Sequence, residues 1–169
     1  ARVSDTCFHV TTTTGGAARV LGHMEDYLQT EWPELEVFLT STTEQWAASA
    51  LQGPNAALIL AAIAGNTPGD LKRFAFDEFD CDGTKTLISS TGYTGAPGFE
   101  IYLPAEDTVR IFEALMAAGQ PFGITPAGLG ARDTLRMEAG FCLYGNDIDD
   151  TTSPIAAGLG WITKFTKDR

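Results

Sequence analysis

The stretch TGYTGAPGFEIYLP, residues 91–104, governs how the whole chain is read. Side chains alternate along a strand, so Phe99, Ile101 and Leu103 share one face of an extended segment over 98–103. Glu100 and Tyr102 share the other. The apolar face asks for a packed layer. The acid and the phenol opposite it are either solvated or turned toward a ligand. Ahead of the strand, Gly92, Gly95 and Gly98 supply positive φ and let backbone approach another surface closely, and a plain hairpin would use them in the same way.

Working outward, the periodicities predict strands near 8–13, 35–41, 46–52, 86–90 and 98–103, with a last strand at GWITKF, 160–165. Helices are predicted near 17–31, 54–64, 105–118 and 126–139. Val20, Leu21, Met24 and Leu28 fall at helical spacing in the first. Val109, Phe112 and Met116 lie on one face of the third. Thr125 is a natural N-cap for the fourth, and Gly140 fits its C′ position. The order β-α-β-β-α before Gly65 is most of a split β-α-β unit. The fold class is therefore α+β: two ferredoxin-like units of antiparallel sheet with packed helices. The first, incomplete, covers 1–65, NTPGD at 66–70 is a short linker, and the second covers 71–169.

Composition excludes several function classes. A net charge of −11 over 169 residues argues against nucleic acid, whose phosphates need a basic patch. No apolar run is long enough to span a membrane, and the opening ARVSDTC lacks the charged and apolar regions of a secretory signal. The three cysteines, Cys7, Cys81 and Cys142, are widely spaced and suit reduced thiols in a cytoplasmic compartment, or the mitochondrial matrix of a eukaryote. With only His9 and His23 present, a histidine-rich metal site is not expected. The chain starts without methionine on the approach to a strand and reads as a fragment.

Three motifs need weighing. GLGARD, 128–133, lacks the third glycine of a dinucleotide fingerprint, with Asp133 in its place. Two glycines within one helical turn each cost about 1 kcal/mol against alanine, which points to close approach of sheet or ligand near Arg132. The plainer alternative pairs Arg132 with Asp133 or Glu138 on a helix surface. DIDD, 147–150, fails the calcium-loop pattern, because Thr151, Thr152 and Gly158 stand where oxygen ligands, glycine and a bidentate glutamate belong. Neither histidine sits near a nucleophile motif.

GYTGAPGFEIY at 92–102, GLGARDTLRMEAG at 128–140 and LYGNDIDDTTSPIAAGLGWITKF at 143–165 resemble, in this order, the aminomethyltransferase (T-protein) family of the glycine cleavage system and its folate-binding relatives. WAASALQGPNAA at 46–57 is similar to the same family's strand-to-helix block. FHVTTTTGGAARVL and TEWPELEVFLTSTTEQWA, in 8–47, look closer to the alpha subunit of heterotetrameric sarcosine oxidase, which carries the same domain. The resemblance implies tetrahydrofolate as the bound cofactor, with Glu100 and Arg132 helping to bind it and Tyr93 as a candidate pocket wall. It implies transfer of an aminomethyl group from a lipoyl carrier protein, the H-protein, to tetrahydrofolate.

Two alternatives stand beside this reading. One is the folate domain of a sarcosine oxidase or dehydrogenase, for which no flavin-binding stretch is present. The other is a non-catalytic folate-binding module like the relatives in iron–sulphur cluster assembly, whose Lys-Gly-Cys-Tyr block is here GFCLYGND, with Cys142 lacking the lysine. Ala96 and Pro97 replace acidic residues usual in the family's hairpin. The family's aspartate near the reacting nitrogen belongs to a block upstream of what is here Ala1, so the catalytic residue is unknown. With that block and the C-terminal barrel outside the sequence, the chain alone is expected to be inactive.

Overall fold

The computed structural model describes residues 1–65 and 70–166, so the expected linker lies outside the described residues except for Asp70. The chain falls into two compact units: unit 1 is Ala1–Gly92 with Pro97–Thr125, and unit 2 is Tyr93–Ala96 with Pro126–Arg169.

Unit 1 contains α1 (Ala17–Thr30), β1 (Trp46–Gln52), α2 (Ala56–Ala64), β2 (Phe76–Cys81), β3 (Thr84–Ser89), β4 (Gly98–Pro104) and α3 (Thr108–Gly119). The class is the expected one, α+β with an antiparallel sheet and packed helices. All four strands belong to one sheet, in the order β1-β4-β3-β2, and every neighbouring pair is antiparallel. β4 alternates as its sequence requires: Phe99, Ile101 and Leu103 are buried and Glu100 and Tyr102 are half-buried. Ile101 lies opposite Ser49 of β1 and Ile88 of β3, which places Leu51, Ile88 and the three β4 residues on one face. Ile59 and Leu60 of α2 and Ile111 and Leu115 of α3 complete the core on that face. Each such side chain contributes about 1.5–3 kcal/mol by leaving water.

The stripe that α3 buries differs from the predicted one. Ile111 and Leu115 are buried, whereas Val109 and Phe112 are 68% and 46% exposed. The helix is apolar on more than one side, and the sheet takes the side on which Ile111, Leu115 and Ala118 follow one another.

β2 is a strand that the sequence pattern did not suggest, because Asp77, Glu78 and Asp80 break its alternation. Those acids suit an edge strand, where charge discourages further pairing. Its signal was the turn. Asp82 and Gly83 both have positive φ, 51° and 80°, as a two-residue hairpin between Cys81 and Thr84 requires. The Gly83 N–H also donates to Asp80 Oδ1 at 2.8 Å. Gly83→Ala forces a Cβ into the left-handed region and is expected to cost about 1–2 kcal/mol. A urea unfolding midpoint equal to that of the parent would contradict this.

Three predicted strands are not strands. Over 8–13 the chain makes one isolated bridge, Arg2 to Phe8, and 35–41 runs without a ladder. Val10 and Phe38 are 59% and 94% exposed. β-branched and aromatic residues favour a strand only where a pleated, half-buried surface receives them, and beyond the Arg2–Phe8 bridge neither segment builds a ladder among the described residues. GWITKF instead forms a 3-10 turn at Gly160–Ile162, closed by the Thr163 N–H on the Gly160 carbonyl. α1 matches its predicted range closely but buries no residue fully. With Trp32, Leu35, Val37 and Leu39 it lines an apolar groove of 430 Å³.

Unit 2 holds one helix of ordinary length, α4 (Leu129–Glu138), among the described residues. Gly128, not Thr125, is its N-cap, and the Thr125 hydroxyl donates to the Gly123 carbonyl instead. Its C-terminus follows the sequence. Gly140 is left-handed, its N–H reaches the Met137 carbonyl, and the Phe141 N–H reaches that of Arg136, the paired bonds of a Schellman ending. Among the described residues, no helix is long and apolar enough to cross a membrane.

Candidate functional site

Glu100 sits in the middle of β4 on the face turned away from α2 and α3. It lies opposite Ala50 in β1 and Ser89 in β3, both small, so its carboxylate is only half covered. Oε2 accepts a hydrogen bond from the Thr91 hydroxyl. Thr91 Oγ1 in turn lies 2.6 Å from Ser89 Oγ. Tyr102, next along the same face, has Ser89, Thr11 and Glu100 as hydrogen-bond partners. Burial, reinforced by the charge of Glu100, pushes its phenol above the usual tyrosine range, so it stays protonated. The His9 ring lies edge-on to Trp46 at 5.7 Å and 6.0 Å from Tyr102, and burial lowers its pKa below the ordinary histidine value. The result is a polar row, Ser89, Thr91, Glu100 and Tyr102, on the sheet face turned away from the helices.

Two glycines of the opening motif are explained by one side chain. Gln52 Nε2 donates to the Thr91 carbonyl at 3.2 Å and the Phe99 carbonyl at 3.1 Å, tying the two sides of the loop together. A Cβ at Gly92 would lie 2.0 Å from Gln52 Oε1, and one at Gly98 would lie 2.8 Å from Gln52 Cδ as well as 2.4 Å from the Leu51 carbonyl oxygen. Only glycine lets this amide in. The sequence signal was the motif itself, but its partner, Gln52, lies 39 residues before Thr91 and could not be identified from it.

In unit 2, Tyr93 and Arg132 come together. The Arg132 guanidinium lies over the Tyr93 ring, 4.6 Å from its centroid. The ring also stacks on Phe141 at 5.8 Å and 21°, and its hydroxyl donates to the Cys142 carbonyl. Burial raises the Tyr93 pKa, opposed by the Arg136 and Arg132 charges, so the phenol remains a donor. Arg132 itself is exposed, which leaves its planar donors accessible. No sheet packs onto its glycines: a Cβ at Gly128 or Gly130 meets no protein atom within 4 Å.

The acid Asp133 pairs not with Arg132 but with Arg136, a residue sequence reasoning passed over. Arg136 is 3% exposed. Its Nε donates to Asp133 Oδ1 at 2.7 Å, and its Nη1 donates to the Phe141 carbonyl at 3.1 Å and to Asp147. Asp147 also accepts the Leu143 N–H at 2.8 Å. The i, i+3 spacing of Asp133 and Arg136 was the available signal. In DIDD, the Asp149 carboxylate is taken up by its own turn, accepting the Thr151 N–H at 2.9 Å and the Thr151 and Thr152 hydroxyls at 2.7 and 3.0 Å.

The Leu143 N–H first, and then Arg136, hold Asp147 below the usual carboxylate range; Thr151 and Thr152 do the same for Asp149. A carboxyl with a depressed folded pKa stabilises the fold above its unfolded pKa and loses that contribution as pH falls through the folded value. Unit 2 is therefore expected to weaken on acidification below the ordinary carboxylate range. Asp147→Asn should flatten this dependence, measured as amide exchange over 140–148 against pH. An unchanged profile would contradict it.

A sequence model described as the GCVT N-terminal domain matches residues 1–167. The chain is similar to an aminomethyltransferase of Bacteroides fragilis, with 51% identity over 137 residues, 80% of this chain and 37% of that protein. It is also similar to an aminomethyltransferase of Halothermothrix orenii, with 49% identity over 129 residues, 76% of this chain and 36% of that protein. Among solved structures it resembles the glycine cleavage system aminomethyltransferase T of Bartonella henselae, with a TM-score of 0.73 and 36% identity, covering 87% of this chain and 37% of that one. The chain thus spans little more than a third of the length of these relatives.

Proposed function

Because the chain belongs to the GCVT N-terminal domain family, whose matched members are aminomethyltransferases, we propose that it is the tetrahydrofolate-binding part of an enzyme that transfers an aminomethyl group in glycine cleavage. The donor in this reading is a lipoyl carrier protein of the H-protein kind. Tetrahydrofolate, when bound, supplies the nitrogen that receives the one-carbon unit, and the chain supplies binding and orientation.

The observation that carries the reading is a half-buried carboxylate, Glu100, on the sheet face away from the helices, its direction fixed by a neighbouring hydroxyl. A pterin presents adjacent N–H donors, and a carboxylate accepts such donors through strong charge-assisted bonds. Each unit offers its own group. In unit 2, Arg132 presents planar donors from a ring that holds it, and Tyr93, anchored at its hydroxyl by the Cys142 carbonyl, offers a fixed aromatic wall.

Glu100→Gln tests this directly. The substitution removes the charge and turns one acceptor into a donor facing another donor. Loss of a charged hydrogen bond of this kind costs about 1.5–3 kcal/mol. Tetrahydrofolate affinity, measured by calorimetry on the intact protein, should therefore fall by about an order of magnitude or more, with the melting temperature nearly unmoved. Unchanged affinity would return Glu100 to the solvated face of the sheet.

A further inference from the structure

We infer that Thr91 is a positioning residue for the ligand-binding carboxylate, and that Ser89 positions Thr91 in turn. This rests on the reading of Glu100 as a ligand group.

The argument is a count of protons. An ionised carboxylate only accepts, so the single hydroxyl proton of Thr91 is committed to Glu100 Oε2. Thr91 Oγ1 can then only accept from Ser89 Oγ, 2.6 Å away, which commits the proton of Ser89 as well. The hydroxyl pair therefore has one direction, from Ser89 through Thr91 to Glu100. Backbone geometry sets the pair in place. Ser89 lies opposite Glu100 across the β3–β4 ladder, and the Thr91 carbonyl is held by Gln52 Nε2 at 3.2 Å. A glutamate has three side-chain torsions, and in the middle of a strand, beside alanine, the groups of this row that reach its carboxylate are the Tyr102 phenol and the Thr91 hydroxyl, the latter bonded to Oε2. Thr91 helps select one orientation before a ligand arrives, which removes part of the ordering cost of binding.

Three variants separate a hydroxyl's role from simple packing. Thr91→Val keeps the shape and removes the proton, Thr91→Ser keeps the proton and removes the methyl group, and Ser89→Ala removes only the donor behind Thr91. Tetrahydrofolate binding is measured by calorimetry on the intact protein, beside Glu100→Gln and the double variant Glu100→Gln/Thr91→Val. Thr91→Val is expected to weaken binding roughly tenfold, Ser89→Ala less, and Thr91→Ser to bind as the parent does. The double variant should bind no more weakly than Glu100→Gln alone, because Thr91 acts only through the carboxylate.

Parent-like binding by Thr91→Val beside a weakened Glu100→Gln would overturn the positioning role and leave the ligand assignment of Glu100 standing. Thr91→Ser binding as weakly as Thr91→Val would also overturn it, since the methyl group and not the hydroxyl would then matter. Parent-like binding by Glu100→Gln would remove the ligand assignment and this inference together. If Thr91→Val does not fold, the comparison of Ser89→Ala with Thr91→Ser decides: equal, parent-like affinity in both overturns the inference, and weaker binding by Ser89→Ala alone supports it.

Discussion

Ile101→Ala is expected to destabilise the protein by about 2–5 kcal/mol, in the upper part of that range. Ile101 is fully buried in the middle strand region of the sheet, with Ser49 on one side and Ile88 on the other. Both helices on that face contribute fully or nearly fully buried side chains to the same cluster, Leu60 from α2 and Ile111 from α3. Truncation there removes apolar area from a close-packed layer whose backbone is paired on both sides, so the site has little freedom to collapse. The melting temperature should fall by roughly 10 °C. Val109→Ala is the matched control: it deletes aliphatic volume from an exposed position of α3 and should change stability by no more than about 0.5 kcal/mol. Equal effects of the two substitutions would mean that the face of α3 against the sheet is misassigned.

The second large effect is expected at Arg136. Replacing it with methionine leaves Asp133 and Asp147 without their shared cation and removes the Arg136 donor from the Phe141 carbonyl. The arginine is the buried member of this network, 3% exposed, and the carboxylates it joins are each 43% exposed, so its loss severs the links between α4 and the following turn without stranding buried charge. The segment after α4 depends on this arginine, since Asp147 also holds the Leu143 N–H. Amide protection at Phe141, Leu143 and Asp147 should therefore collapse, while protection in β3 and β4 of unit 1 should persist. Arg132→Met removes an exposed guanidinium from the Tyr93 ring and should leave the protection of those amides in place. Preserved protection in Arg136→Met would show that the turn after α4 is held by its backbone bonds alone.

Several features were legible because a short window encodes them. The alternation of Phe99, Ile101 and Leu103 against Glu100 and Tyr102 needs only the period of a strand, and β4 has it. Gly140 ends α4 as a left-handed residue, which follows from its lack of a Cβ. The Asp82–Gly83 turn was equally local, and β2 was missed only because its acids hid the alternation beside it.

Other features depend on what meets a segment from elsewhere in the chain. Phe8, Val10 and Phe38 have the residue types of strands, yet a strand exists only where a neighbour takes up a run of hydrogen bonds, and among the described residues Phe8 makes a single bridge to Arg2 and no ladder forms at Val10 or Phe38. α3 carries apolar residues on more than one side, so its sequence permits several buried stripes and the sheet chose the one through Ile111 and Leu115. Arg132 and Arg136 are one helical turn apart and chemically identical. One lies exposed over Tyr93 and the other is buried between two carboxylates, because Asp147 is brought back to Arg136 by a turn no helical pattern specifies. The sequence by itself determined the face on which Glu100 stands, since that follows from a strand's period of two. Only the tertiary structure decided what holds its carboxylate: Thr91 reaches it across a loop and Ser89, opposite in the ladder, reaches Thr91, and such pairings arise from non-local register that local propensity does not contain.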